Sequence, residues 1–125
     1  MIFRTLGEVE GSERDVDWEH GRSRRFLLES EGMGYSLADT TVLAGTSSPL
    51  QYRNHLVSCY VIAGTGFLEY DGQRRPIGPG TFYAMNEHDQ STLHAENDLR
   101  IISIFNPALT GKETHSFALG RPSSY

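Results

Sequence analysis

Between Gly45 and Ser91, glycine cuts the chain into short apolar runs, and that punctuation limits what the chain can become. The stretch opens with Gly45-Thr46-Ser47-Ser48-Pro49 and runs through Gln51-Tyr52-Arg53-Asn54-His55-Leu56-Val57. It turns at Gly64-Thr65-Gly66 and closes with Gly80-Thr81-Phe82-Tyr83-Ala84-Met85-Asn86-Glu87-His88-Asp89-Gln90-Ser91. Runs this short, bounded by turn residues, read as strands of a small antiparallel barrel. Asp71-Gly72 is a strong hairpin signal that pairs 67–70 with 73–77. Pro76 and Pro79 confine that region to an edge or a corner, because proline cannot donate to a central ladder.

The rest of the chain repeats the pattern. Residues 1–6 read as a short strand, and 7–21, polar and acidic around Trp18, have room for a helical turn. Residues 24–28 read as a strand closed by the turn Glu29-Ser30-Glu31-Gly32. Residues 35–43 are β-prone, and alternation puts Ser36, Ala38, Thr40 and Val42 on one face. Small and hydroxyl-bearing residues there suit a lumen that holds something other than packed hydrophobes. Further strands are expected at 60–62, 66–70, 81–85 and 91–94. The clearest is 100–105, with Ile101, Ser103 and Phe105 on one face and Ile102 and Ile104 on the other. Asn106-Pro107 ends it, and 120–125 read as a frayed tail. Many short strands with turns between them make an all-β jelly-roll barrel.

A chain of 125 residues, with 13 Gly and 5 Pro, suits one domain with one core. The net charge of −5 argues against partnership with nucleic acid or an anionic membrane surface. Arg22, Arg24 and Arg25 cluster, but Glu19, Glu29 and Glu31 flank them, so a solvated face is expected except at Arg25. The single cysteine, Cys59, excludes an internal disulfide and reads as a buried thiol. No apolar segment approaches the roughly 20 residues a membrane helix needs. With no signal-peptide pattern at the N-terminus, a cytoplasmic location is expected.

The glycine spacing resembles the two-part signature of the cupin superfamily. Laid on Gly45, Gly64 and Gly80, the four metal-ligand positions of that signature fall on Gln51, Arg53, Val57 and Ser91. None is a good transition-metal ligand, and Arg53 repels a cation. More specifically, the chain resembles ectoine synthase, a cupin family. The matching segments are Thr40-Thr41-Val42-Leu43-Ala44-Gly45-Thr46, Tyr52-Arg53-Asn54-His55-Leu56 and Gly80-Thr81-Phe82-Tyr83-Ala84-Met85 with His88-Asp89. The most specific is Phe105-Asn106-Pro107-Ala108-Leu109-Thr110-Gly111-Lys112-Glu113.

The resemblance implies a single cupin-type barrel (a double-stranded β-helix) over 1–125, flanked by 1–23 and 107–125. It implies a homodimer and a hydro-lyase that closes an N-acetylated diaminobutyrate into the cyclic amidine ectoine. It also implies ferrous iron held by a Glu, a Tyr and a His. Here the Tyr is Tyr83, while Val57 and Ser91 occupy the other two positions, so weak or absent iron binding is expected. Positions that the family places around its ligand match at Arg25, Thr40, Tyr52, Asp89, Phe105, Glu113 and His115. The family's Asn is replaced by Ala38 and its Cys by Ser103.

The chemistry assigns roles. Ring closure needs an unprotonated amine against an amide carbon, and polarisation of the amide oxygen. Tyr83, Glu113 and His115 are the catalytic candidates, Tyr83 as donor to the oxygen and the other two as base and acid. The resemblance makes Arg25, Thr40, Tyr52, Asp89, Ser103 and Phe105 the substrate-binding candidates, with Arg25 a clamp for the carboxylate or else a surface ion pair with Glu29. His55 reads as a structural histidine, and His94 has the wrong parity to replace the histidine lost at Ser91. A different class of function stays open: a catalytically impaired barrel that binds ectoine or a related small zwitterion as a sensor or solute-binding module.

Overall fold

Alternation of inward and outward side chains decides the architecture. The structure, a computed structural model, describes residues 1–114 and 125. Ten strands follow one helical turn: α1 (Leu6–Val9), β1 (Asp15–Trp18), β2 (Gly21–Leu27), β3 (Ser36–Val42), β4 (Ser47–Gln51), β5 (Leu56–Ala63), β6 (Gly66–Tyr70), β7 (Gln73–Ile77), β8 (Phe82–Met85), β9 (Gln90–Ala95) and β10 (Leu99–Asn106). They form a six-stranded sheet, β1-β2-β3-β10-β5-β8, and a four-stranded sheet, β4-β9-β6-β7, with antiparallel pairing throughout.

The inner faces of the two sheets make the core. Val42, Val57, Val61, Ile101 and Phe105 come from one sheet and Leu50, Leu68, Ile77 and Leu93 from the other. Each such side chain contributes about 1.5–3 kcal/mol on burial. The alternation expected for β10 holds: Ile101, Ser103 and Phe105 are buried, and Ile104 is exposed. The Asp71-Gly72 hairpin forms as expected. Both residues have positive φ, and Phe67 pairs with Pro76 on the edge strand β7. Gly64 is required by two constraints at once. Its φ is +84°, and a Cβ there would lie 2.2 Å from the Asp98 carbonyl oxygen.

Four expectations need correction. Residues 1–5 form no strand; Thr5 accepts from the Glu8 N–H and caps the helical turn α1. Segment 15–18 is a strand despite its two aspartates, because Arg22 on β2 binds both carboxylates, Asp15 at 2.9 Å and Asp17 at 2.6 Å. Segment 47–51 is a strand despite Pro49, because β4 lies at a sheet edge where a missing N–H costs little. The arginine cluster is not a uniformly solvated face. Arg24 bonds Asp39, Arg25 is buried, and Glu31 pairs with Arg4 and Arg14.

Candidate active site

The register of the six-stranded sheet assembles the site. Arg25 on β2 stands opposite Ala38 on β3, Ala38 opposite Ser103 on β10, Ser103 opposite Cys59 on β5, and Cys59 opposite Tyr83 on β8. One rung thus crosses five strands, with a guanidinium at one end and a phenol at the other. Ala38, Ser103 and Cys59 are buried between them.

Within the barrel lies an inner chamber of about 40 Å³. Thr40, Tyr52, Ser103, Phe105 and Tyr83, all singled out from the sequence, line it. Tyr52 packs its ring 5.8 Å from that of Phe105. The Cys59 thiol lies 3.7 Å from the Ser103 hydroxyl and also hydrogen-bonds Tyr83. Burial pushes the phenols of Tyr52 and Tyr83 well above their ordinary value, and raises the Cys59 thiol despite the bonds from Tyr83 and Ser103. All three groups are neutral and able to donate a hydrogen bond.

Arg25 is 1% exposed. Its Nε donates to Ser23, and one terminal nitrogen donates to the Glu113 carbonyl and to the Tyr125 hydroxyl. The other, Nη1, has no acceptor among the described residues. The surface ion pair with Glu29 is not formed. A buried cationic nitrogen left without an acceptor is costly, and its geometry suits one oxygen of a carboxylate.

Tyr125 corrects a further expectation. It is no frayed end; the ring is buried against Tyr52, Phe105 and the Arg25 guanidinium, and its carbonyl accepts from the Arg53 N–H. Residues 120–124, and the candidate His115, lie outside the described residues.

Segment 107–113 is pinned beside Arg25. The Leu109 N–H donates to the Ser36 hydroxyl, its carbonyl accepts from the Glu29 N–H, and His55 Nδ1 donates to the Pro107 carbonyl. Glu113 then folds back on its own loop. Its carboxylate accepts from the N–H groups of Thr110 and Gly111 and from the Thr110 hydroxyl, and lies 3.9 Å from His55 Nε2. Burial pushes this carboxyl up, but the loop donors outweigh it and hold it below the usual range. Asp89 stands apart, capping its turn through the Asn86 N–H.

A second cavity, of about 460 Å³, opens outward between the edge strands β7 and β8. Met85, Asp89 and Ser91 line it, and so does Tyr83. Tyr83 is the one side chain shared by the two cavities among the described residues.

Comparison with known proteins matches this chain to one family. The ectoine synthase family model matches residues 1–120. The L-ectoine synthase of Desulfatibacillum aliphaticivorans is 45% identical over 119 residues, 92% of each chain. That of Halalkalibacterium halodurans is 46% identical over 112 residues, 88% of this chain and 87% of the other. This chain belongs to the ectoine synthase family. The crystal structure of ectoine synthase from P. lautus superposes with a TM-score of 0.85 at 41% identity, covering 89% of this chain and 81% of that one. An RmlC-like cupin from Shewanella frigidimarina, 16% identical with a TM-score of 0.70, shares the fold.

The ectoine synthase barrel is of the cupin type, which is compatible with metal use, but the donors present here do not fit ferrous iron. Val57 offers no donor atom and is buried in the core. The Ser91 hydroxyl is turned to the Met85 thioether, 3.6 Å away. Tyr83 keeps its proton and bonds Cys59. His94 faces away from the lumen, with Nδ1 2.7 Å from the Ser47 hydroxyl. His88 is exposed, and His55 is held by Pro107. Among the described residues no three His, Cys, Asp or Glu side chains gather as a metal site.

Sequence reasoning missed Trp18, Ser23 and Tyr125 as chamber walls. The sole tryptophan was a usable signal. Nothing local to Tyr125 announces that it folds back over Arg25.

Proposed function

We propose that this ectoine synthase relative cyclises an acyclic N-acetylated diaminobutyrate to ectoine with loss of water, as a carbon–oxygen hydro-lyase. Family membership carries the reaction class. The observation that carries the ligand is Arg25, buried with Nη1 facing no acceptor. A small zwitterion supplies what that nitrogen lacks, a carboxylate. The hydroxyls of Thr40, Tyr52, Ser103 and Tyr83 then face the ligand's nitrogen and oxygen atoms, and Phe105 walls its carbon skeleton.

The reaction balances without an oxidant. The amine nitrogen adds to the acetyl carbon, the carbon–oxygen bond breaks, and the oxygen leaves as water. The ammonium nitrogen goes from three hydrogens to one, and those two depart with the oxygen. The chain's residues curl the short substrate so that amine and amide meet, and donate hydrogen bonds to the oxygen as charge builds on it. Glu113, kept charged at neutral pH, and His115 handle the ammonium protons in this reading.

The partner proposed at the outer face of β10, β5 and β8 is a second copy of the chain. Leu56, Tyr60, Ile62, Phe82 and Ile104 are exposed there, an apolar surface that suits a homodimer. The reading places the protein in the cytoplasm, where a thiol such as Cys59 stays reduced.

Incubation with the N-acetylated diaminobutyrate, with and without ferrous iron, is followed by NMR. Amidine signals are expected. Tight binding of ectoine with no amidine in either condition would replace the enzyme with a solute-binding module.

A further inference from the structure

Tyr83, Cys59 and Ser103 are three protic side chains in line on adjacent strands, and all of them line the inner chamber. The first and third positions of the family's iron set, Val57 and Ser91, carry no free donor, so among the described residues that set is incomplete and the pull on an amide oxygen falls to another group. We propose that the Tyr83 phenol, aligned by Cys59 and Ser103, performs that pull by donating a hydrogen bond to the amide oxygen of the ligand, and that the chain turns over without a resident metal. The inference rests on the cyclising reading given above.

The geometry gives each group one task. In the proposed arrangement the Ser103 hydroxyl, 3.7 Å from the Cys59 sulfur, is the donor of that pair. The Cys59 S–H then turns to the Tyr83 oxygen, and the Tyr83 O–H is released toward the chamber. Sulfur is a weak acceptor, so an amide oxygen in the chamber outcompetes it for the phenol proton. Hydrogen bonds in series polarise one another, which strengthens the last donor. The phenol is protonated at neutral pH, as any tyrosine is with no cation beside it. The donor is also pre-set: Tyr83 is fixed on β8 directly opposite Cys59, so little reorganises as charge develops on the oxygen.

Tyr83 is therefore a catalytic residue, touching the reacting oxygen, and Cys59 is a positioning residue, acting through Tyr83. The expected kinetics differ. Tyr83→Phe lowers kcat by about a hundredfold with little change in KM, the size of effect seen when one donor to a developing oxyanion is lost. Cys59→Ala removes the bond onto the phenol oxygen and lowers kcat roughly 3- to 10-fold. Cys59→Ser, which keeps a donor in place, restores it. A merely structural role for Cys59 predicts no such rescue, because Ala and Ser differ little in volume.

The deciding experiment measures metal content by mass spectrometry on the purified full chain, and amidine formation before and after chelation. Substoichiometric metal together with turnover that survives the chelator is the expected result. Stoichiometric iron, or turnover lost to the chelator and regained with ferrous iron, overturns the metal-free proposal and leaves the cyclising reading intact. Amidine formation absent in every condition overturns the cyclising reading itself, and this proposal with it. A Tyr83→Phe variant with unchanged kcat overturns the role of the phenol alone.

Discussion

Tyr125 shows how one side chain sets the state of the site. The inner chamber, at about 40 Å³, holds only a few waters while the Tyr125 ring is in place. In the proposed binding mode a zwitterion the size of ectoine needs more room than this, so the ring has to swing aside while the carboxylate takes the unfilled Nη1 of Arg25. Tyr125→Ala is expected to tighten ectoine binding; a closed form about 1.4 kcal/mol below the open one accounts for about tenfold. Calorimetric titration of both proteins checks this, and weaker binding in the variant would make Tyr125 part of the ligand's seat. Asp39 has a different task. It is buried on the outer side of β3, with Arg24 at 2.9 Å and Arg100 at 2.5 Å. Burial pushes its carboxyl up, but the bonds from Arg100 and Arg24 prevail and lower it. The folded form therefore releases the proton more readily than the unfolded form, as Asp15, Glu31 and Glu113 also do. Stability from these groups is present above about pH 4 and lost as pH falls through the folded values. Denaturant midpoints should decline steeply below about pH 4, and Asp39→Asn should lose about 2–4 kcal/mol at pH 7 and flatten that decline.

Segment 107–113 acts as one element although it has no regular structure. Three anchors fix it: the Ser36 hydroxyl, the Glu29 N–H and the His55 ring. Its far end presents the Glu113 carbonyl to Arg25. Gly111 makes the turn possible at φ +116°, where a side chain would be strained and a Cβ would also lie 3.2 Å from Leu28. Ser36→Ala leaves the buried Leu109 N–H without an acceptor, a loss of about 1–3 kcal/mol. It should also weaken ectoine binding, since Arg25 loses its backing; thermal melts and titrations read the two effects separately. This segment was legible in the sequence because its residues are distinctive one by one. The rung from Arg25 to Tyr83 was half legible. Alternation alone put Ser103 and Phe105 on one face, but register decides which strand neighbours which. Nothing within 56–63 shows that Cys59 stands between Ser103 and Tyr83. The strands β1 and β4 were hidden by aspartates and a proline that are tolerated only because Arg22 and a sheet edge accommodate them.

At the scale of the whole molecule, the outer face of the larger sheet divides into a polar part and an apolar part. Near β2 and β3 the outer side carries Arg24, Asp39 and Arg100 in a closed polar network. Near β5, β8 and β10 it carries Leu56, Tyr60, Ile62, Phe82 and Ile104, with Phe82 63% exposed. The turn pattern made the jelly roll readable, because strand number and hairpins are local. The division of the outer surface was not, since it depends on which strands share a sheet. An exposed apolar area of this kind is normally covered. A second copy fits better than a charged partner, because the exposed side chains at its centre are uncharged. Charge placed within that surface has to be buried without a counterion in the dimer, which costs several kcal/mol for each copy. Phe82→Glu should therefore convert a dimer to a monomer in light scattering. It should leave the fold intact in circular dichroism, because the substituted side chain already faces outward from an edge strand. Because Phe82 precedes Tyr83 on the four-residue strand β8, the monomer should also lose activity through KM and kcat together, as β8 loses its support. A variant that stays dimeric would move the interface elsewhere on the barrel.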